Sequence, residues 1–474
     1  MTSKRIILCF DGTFTDTGDT SERLKPGSYV SRICRWILPP ILWQLLWVLR
    51  FFAVFKWIEQ HILLPRPKAP GSTNVSILAR SIKTAGTRVS DNGSIESIHQ
   101  LTLYVGGIGA LGNPQSRVEE AVTGNTMTYK VRTGYRFLVE NYCPGDEVFL
   151  FGFSRGAFAA RAIADFISCR GITRKHTMDN FDLSWQRFVE ERKMRVNVQC
   201  REETGGTHRN PPIRCIGVWD TVGSLGAPPL FFHHRDDIST ARSAHRRSGH
   251  FDVSLRPNAE YAFQALALDE RRFDFYPAPW AFQAENEVRF AQTWFPGVHA
   301  DIGGGSSGDL SDFAFVWMVS KIQEDNLLDL DEEFLQAAVL QSLKEGISPW
   351  YRTIGPRDYL DRLSTWLRNL PAWITDCFRV AHRNPHMLAT NIDQTDTKRA
   401  EENKEILAKE QKFHWTVGER MRKQQPSYWE TCPALKKRYP YVNNDPTEAD
   451  IFERMEVPVG KDLELFRYFT TRNS

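Results

Sequence analysis

EVFLFGFSRGAFAARAIADF, Glu147 to Phe166, decides the fold of this chain. Val148 to Phe151 is an apolar, aromatic run of the kind that makes a buried strand. Gly152-Phe153-Ser154-Arg155-Gly156 follows at once. Ala160, Ile163, Ala164 and Ile167 then recur at the spacing of one helix face. Strand, G-x-S-x-G, helix is the setting of a nucleophile elbow, with Ser154 at the tip and a helix N-terminus behind it. The two glycines allow a sharp turn and close packing of neighbouring backbone. A Gly-Ser turn joining two ordinary elements is the plainer alternative.

A serine needs a base, and the chain downstream supplies one. Ile213 to Trp219 reads as a strand ending in Asp220, and Val288 to Trp294 as a strand followed by His299. Ser154, Asp220 and His299 thus come in the order Ser, Asp, His of the α/β-hydrolases. Imidazole titrates near neutrality, so it can take the hydroxyl proton and return it to a leaving group. A carboxylate holds the ring tautomer and stabilises the imidazolium. Asp301, two residues past His299, is the alternative acid, and Asp220 has the bland reading of a turn residue. The oxyanion of a tetrahedral intermediate needs N–H donors. Arg155, next after the serine, supplies one; Gly12 or Thr13 is the expected second, with Gly106–Gly107 in reserve.

The rest of the chain fits around this strand. Arg5 to Phe10 is a first buried strand ending in Asp11-Gly12-Thr13, and Leu101 to Val105 a further strand ending in glycines. Thr73 can cap a helix with Val75, Leu78, Ala79 and Ile82 on its apolar face. Val131, Tyr135, Leu138 and Tyr142 mark another helix, and Leu183 to Met194 a charged one. Thr84 to Ser97 is polar and reads as loop. Ala259, Ala262, Phe263 and Leu266 have helical spacing, and Asp312 to Ile322 reads as a helix. Strands separated by helices imply a mainly parallel, doubly wound α/β sheet. After about Asp325 the alternation stops. The expectation is a catalytic domain over 1–325 and a helical, charged extension over 326–474 with no chemistry of its own; Asp396 to Gln411 is a solvated helix by its charge run.

Tyr29 to Leu64 interrupts the pattern. Between Ile37 and Phe55 only Gln44 and Arg50 are strongly polar, and Trp36, Trp43, Trp47 and Trp57 cluster there. The segment is apolar all round, so it wants lipid or a protein core. A single crossing would place the first strand across the membrane from its own sheet, and Pro39-Pro40 breaks a helix near its start. An interfacial helical hairpin, with tryptophans at headgroup level, fits the composition better. A lid or dimer contact is the alternative.

Bulk properties exclude several classes. With 60 basic and 57 acidic residues the net charge is +3, no case for nucleic acid. The eight cysteines are scattered without a C-x-x-C pair, which points to reduced thiols in a cytosolic setting. The first apolar run, Ile6 to Phe10, is too short for a signal peptide. His233, His234, His245 and His250 show no metal-ligand spacing, and no cofactor or metal is expected. Phe10-Asp11-Gly12-Thr13 resembles part of a haloacid-dehalogenase phosphatase signature, but Cys9 stands where that chemistry needs its nucleophilic aspartate. A catalytically silent, membrane-associated interaction protein on a hydrolase scaffold is the non-enzymatic alternative.

Six ordered stretches carry a resemblance: LCFDGT (Leu8–Thr13), TNVSILARSI (Thr73–Ile82), YRFLVENYCPGDEVFLFGFSRGAFAAR (Tyr135–Arg161), VWDTVGSLG (Val218–Gly226), ALDERR (Ala267–Arg272) and WFPGVHADIGGG (Trp294–Gly305). Together they resemble the α/β-hydrolase family that includes the catalytic domain of bacterial type VI secretion phospholipase effectors, with fungal and bacterial relatives. The resemblance spans most of residues 1–325. It implies a Ser/Asp/His acyl-ester hydrolase of phospholipase type, with Ser154, Asp220 and His299 at the matching positions. The chain departs from the family pattern at Tyr29–Leu64 and at Tyr104–Gly107. The combined expectation is a serine hydrolase acting on lipid or another acyl ester, cytoplasmic and peripheral on a membrane through residues 29–64. The sequence does not fix its oligomeric state.

Overall fold

The computed structural model describes residues 3–12, 72–90, 92–107, 125–193, 207–208, 211–222, 255, 258–270, 275–280, 288–305, 310–340, 383, 385, 411–423, 428–432, 434–436 and 446–471. In chain order the elements that matter here are β1 (Lys4–Phe10), α1 (Asn74–Ser81), β2 (Ala85–Val89), β3 (Ile95–Val105), α2 (Asn125–Asn141), β4 (Glu147–Phe153), α3 (Arg155–Arg170), the short pair β5 (Ile172–Thr173) and β6 (Thr207–His208), β7 (Ile213–Trp219), β8 (Ala259–Ala267), β9 (Arg289–Phe295), α4 (His299–Gly303), α5 (Leu310–Glu324), β10 (Lys412–Phe413), α6 (Trp415–Lys423) and α7 (Gly460–Thr471). Among the described residues eight strands form one sheet, in the order β10-β9-β8-β7-β4-β1-β3-β2. Every pairing is parallel except the β2–β3 hairpin.

A parallel sheet survives only with both faces covered, and the side chains of β1 show how. Ile6, Leu8 and Phe10 pack on one side with α2 and α3. Ile7 and Cys9 pack on the other with Val75 and Leu78 of α1 and with Phe313, Val316 and Trp317 of α5. Alternate residues thus serve two cores, and the strand reads as unbroken apolar sequence. The result is the α/β-hydrolase-like, mainly parallel architecture that the sequence predicts.

Two local expectations are corrected. Ala259 to Leu266 is strand β8, not a helix. Its apolar positions match helical spacing because nearly the whole run is buried. Ala262 belongs to one core, while Phe263, Ala265 and Ala267 belong to the other, a period of two. Thr84 to Ser97 is not loop: it contains β2, a turn at Gly93 with φ 81°, and the start of β3. This hairpin closes the sheet edge, and its Val89 and Ile95 stand opposite each other with most of their surface in solvent. Having no core to face, it carries no apolar alternation for sequence reasoning to find.

The expected boundary at residue 325 is crossed by the sheet itself. Lys412 and Phe413 pair with Thr293 and Trp294, so the region expected to be a mostly helical extension donates an edge strand. Leu266, Trp294, Phe413, Val417 and Tyr428 form a third core there. His414 stacks on Phe295 at 4.3 Å, and its Nε2 lies 3.0 Å from Asp462 of α7. Of residues 396–411 only Gln411 is described, and it is buried. The apolar segment 29–64 lies outside the described residues, as do Thr13 and the histidines at 233, 234, 245 and 250. No helix among the described residues is long and apolar enough to cross a membrane.

The elbow sets the tightest packing. A Cβ on Gly156 would lie 2.2 Å from the Phe10 carbonyl oxygen and 2.4 Å from that of Asp11; one on Gly152 would lie 2.6 Å from Ala157 backbone. Backbone cannot yield as a side-chain tip does. Gly156→Ala is expected to cost about 2–3 kcal/mol of unfolding free energy, measured by urea denaturation; a loss below 0.5 kcal/mol would contradict this packing.

Candidate active site

Ser154 closes β4 and opens α3 with φ 57° and ψ −124°, a conformation unusual for any residue with a side chain. Its N–H donates to the Trp219 carbonyl at 3.0 Å, which ties the turn to the end of β7. Such strain persists only where the surroundings fix it, here through the contacts at Gly152 and Gly156. Asp220, the residue after β7, also has positive φ, at 41°, and donates its N–H to Ala265 of β8 at 2.8 Å. His299 opens α4, with its ring between Phe153 and Phe275 at centroid distances of 4.7 and 4.8 Å.

These three side chains meet. His299 Nε2 lies 2.8 Å from Ser154 Oγ, and Nδ1 lies 2.6 Å from Asp220 Oδ2. All three are buried. With Nδ1 donating to the carboxylate, Nε2 is left to accept from the hydroxyl. Asp301 does not compete for the ring nitrogens: its Oδ2 accepts from Val298 N at 2.9 Å and caps α4.

Asp220 has a further partner that lies far along the chain. Arg383 donates through Nη1 to Oδ1 and through Nη2 to Oδ2, the latter at 2.8 Å, while Ala267 N donates to Oδ1 at 3.0 Å. Burial alone would raise the carboxyl; the Arg383 guanidinium and the His299 hydrogen bond outweigh it and hold Asp220 well below the usual carboxylate range. Sequence reasoning missed Arg383. It sits among several arginines with no motif, and only the folded chain brings it to Asp220.

The expected oxyanion donors fare differently. Arg155 is the first residue of α3, so its N–H has no acceptor within the helix. Gly12 lies against the elbow: a Cβ there would be 3.4 Å from Ser154 Cβ. Its N–H, however, donates to Asp11 Oδ1 at 2.6 Å. Thr13 is outside the described residues. Gly106 lies by Tyr104: among the described residues, a Cβ there would meet that ring at 3.8 Å. Asp11 is the centre of a buried cluster beneath this turn. Its Oδ2 accepts from Thr73 Oγ1 and Tyr104 Oη, each at 2.6 Å, and Lys130 Nζ donates to the carbonyls of Asp11 and Gly12. Burial pulls the Lys130 ammonium down to about 8, against the attraction of Asp11 and with the repulsion of Arg155. Burial and the Asp11 charge push Tyr104 up, so it remains a donor. Both Asp11 oxygens are thus engaged, and buried Cys9 stands where a phosphatase nucleophile would be. No cluster of three metal-ligating side chains occurs among the described residues.

The family model of the type VI secretion system phospholipase effector Tle1-like catalytic domain matches residues 65–321, more than half of the chain. The chain belongs to this Tle1-like family. A yeast relative, the uncharacterized protein YEL023C of Saccharomyces cerevisiae, is 25% identical over 203 residues, which cover 38% of this chain and 27% of that protein. A solved structure of the Tle1 effector bound to the VgrG spike of the type VI secretion system is 20% identical, with a TM-score of 0.32 over 65% of this chain and 52% of that one. The crystal structure of an uncharacterized protein from Pseudomonas aeruginosa is 14% identical, with a TM-score of 0.33 over 98% of this chain and 65% of that one. The chain therefore spans about a quarter of the yeast relative and half of the Tle1 effector.

The family motifs now acquire physical roles. Thr73 caps α1 and holds Asp11, while Asn74 Nδ2 donates to the carbonyls of Ile302 and Ser311, on either side of the loop after α4. In ALDERR, Asp269 Oδ2 accepts from Gly297 N at 2.8 Å and Glu270 Oε2 from His299 N at 3.2 Å. These Tle1-like stretches brace the loop that carries His299.

The Asp220–Arg383 pair has a measurable consequence. Asp220→Asn leaves a buried guanidinium with a neutral partner and is expected to cost about 3–5 kcal/mol at neutral pH, whereas Ser154→Ala changes stability little. Because the Asp220 carboxyl is depressed in the folded chain, its contribution is full above about pH 4 and is lost as pH falls below that. The gap between parent and Asp220→Asn should therefore narrow as the medium is acidified. Denaturant midpoints across pH 3–7 measure it; a gap constant over that range would contradict the pairing.

Proposed function

We propose that this chain is a serine-dependent acyl-ester hydrolase of phospholipase type. The observation that carries the reading is the 2.8 Å approach of His299 Nε2 to Ser154 Oγ on a strained strand-to-helix turn. Membership of the Tle1-like family supports a phospholipase- or lipase-like hydrolase. In the proposed reaction Ser154 Oγ attacks the ester carbonyl carbon while His299 Nε2 takes the hydroxyl proton. Asp220 holds the ring and stabilises the imidazolium. The carbonyl oxygen becomes an oxyanion beside the Arg155 N–H at the start of α3. The second donor comes from the Gly12–Thr13 turn, braced from below by Asp11 and Lys130. For Gly12 to serve, its N–H must exchange Asp11 Oδ1 for the oxyanion. The imidazolium then protonates the leaving alkoxide, and water, activated by the same imidazole, hydrolyses the acyl-serine to free acid.

Residues 29–64 are proposed to bring this chemistry to lipid. They follow β1 in the sequence, and the carboxyl end of β1 carries Gly12 against Ser154. Deleting Ser28–Lys68 should cut both sedimentation with phosphatidylcholine liposomes and hydrolysis of those lipids by at least about tenfold. Unchanged binding and turnover would remove the membrane role.

A fluorophosphonate probe tests the nucleophile. The parent chain should be labelled at Ser154, and Ser154→Ala should lose labelling and at least about 10³-fold of its hydrolysis of a lipid panel while keeping its unfolding midpoint. Undiminished hydrolysis by Ser154→Ala would sink the reading.

A further inference from the structure

We infer that Arg383, 62 residues beyond the family-matched segment, is a positioning residue of the site: it fixes the Asp220 carboxylate and balances the charge around His299. The inference rests on the serine-hydrolase reading above.

The geometry of Asp220 is the starting point. Its carboxylate is fully buried and takes four donors. Ala267 N and Arg383 Nη1 share Oδ1; His299 Nδ1 and Arg383 Nη2 share Oδ2. With both oxygens doubly occupied, the carboxylate plane cannot turn, and Oδ2 stays aimed at the ring. Arg383 is itself held by two carbonyls, Ala267 at 3.0 Å from Nη1 and Phe275 at 2.7 Å from Nη2. Its side chain is 1% exposed. A guanidinium so far from water is costly unless paired with good geometry, and its planar fork suits a carboxylate in a way an ammonium cannot match. Phe275 also packs its ring on His299, so one short segment touches both the arginine and the base.

Charge supplies the second half of the argument. Among the described residues the carboxylates facing His299 are Asp220 on Nδ1, Glu270 on the backbone N–H, Asp301 on its own helix, and Asp269 on Gly297 two residues before it. Among the described residues, Arg383 stands against Asp220, and Arg420 Nη1 lies 3.9 Å from Asp269. Arg383 touches the same Asp220 oxygen as the ring, so its charge acts on the imidazole at closest range. Arg383 offsets the nearest of these carboxylates directly. It must not remove the attraction altogether, since the imidazolium formed on serine attack still needs Asp220; the shared Oδ2 meets both demands.

The experiment follows fluorophosphonate labelling rate from pH 5 to 9 in the full-length parent, Arg383→Gln, Arg383→Lys and Ser154→Ala. Arg383→Gln should label at least about tenfold more slowly, with the acidic limb of its profile moved up by about one pH unit. Arg383→Lys keeps the charge without the fork, so it should label slowly with the limb where the parent has it. A merely structural arginine would lower the rate in both variants and leave both limbs in place, which overturns the inference. Parental rates in both also overturn it. If Arg383→Gln shows no cooperative unfolding transition, Arg383→Met, neutral and of similar length, takes its place: a slowed rate with the limb moved up supports the inference, while a parental rate, an unmoved limb or failure of both neutral variants to fold overturns it. A parent that labels no better than Ser154→Ala would instead refute the underlying serine-hydrolase reading, and the role of Arg383 with it.

Discussion

The site depends on a steric constraint at one point: the first turn of α3 runs against the carbonyls that end β1, with no room for a side chain between them. Gly156 occupies that contact and Gly152 the matching one below it. Because the backbone is pinned on both sides of Ser154, the serine is held at positive φ, and the strain is borne by the β4–β1 pairing rather than relieved locally. The same contact puts Gly12 beside Ser154. One packing event therefore fixes the hydroxyl and the turn next to it together.

Around this point the sheet works as a ruler. Parallel strands β1, β4, β7, β8 and β9 all end on the same side, where open α/β sheets gather their ligand-binding residues. Ser154 follows β4, Asp220 follows β7, and His299 comes shortly after β9. Strand β8 lies between β7 and β9 and contributes no side chain to the Ser154–His299–Asp220 cluster, but it and the residues just after it anchor two of its members. Ala265 and Ala267 bind the backbone and carboxylate of Asp220, and Glu270 binds the backbone of His299. The carboxylate is thus held by the backbone of β8 and the histidine by a side chain just beyond it, while the serine is tied to the end of β7 through the Trp219 carbonyl.

The legible parts of the sequence were those whose physics is local. The elbow, the first strand and the Thr73 cap each carry their signal within a few residues, and the structure has each of them. The order of Ser154, Asp220 and His299 was readable because strand ends are marked by a change from apolar to polar sequence. What escaped was non-local or unmarked. Strand β8 is buried on both faces, and two-sided burial erases the alternation that separates strand from helix. The β2–β3 hairpin has the opposite problem, with too little burial to leave a pattern. Arg383 is legible only as one arginine among many, because its meaning lies in a carboxylate 163 residues earlier.

That separation bears on how the chain reaches its working form. The interior around Asp220 holds a fully buried negative charge whose compensating cation leaves the ribosome 163 residues after it. Strand β10, which closes the sheet edge beside β9, comes later still. Contacts between such distant residues cost loop-closure entropy before they return any stability, which makes them late steps in folding. A nascent chain that had made only its family-matched segment would contain Ser154, Asp220 and His299 and lack the electrostatic closure that holds Asp220. Arrival of Arg383, rather than appearance of the serine, marks the moment at which this cluster becomes whole.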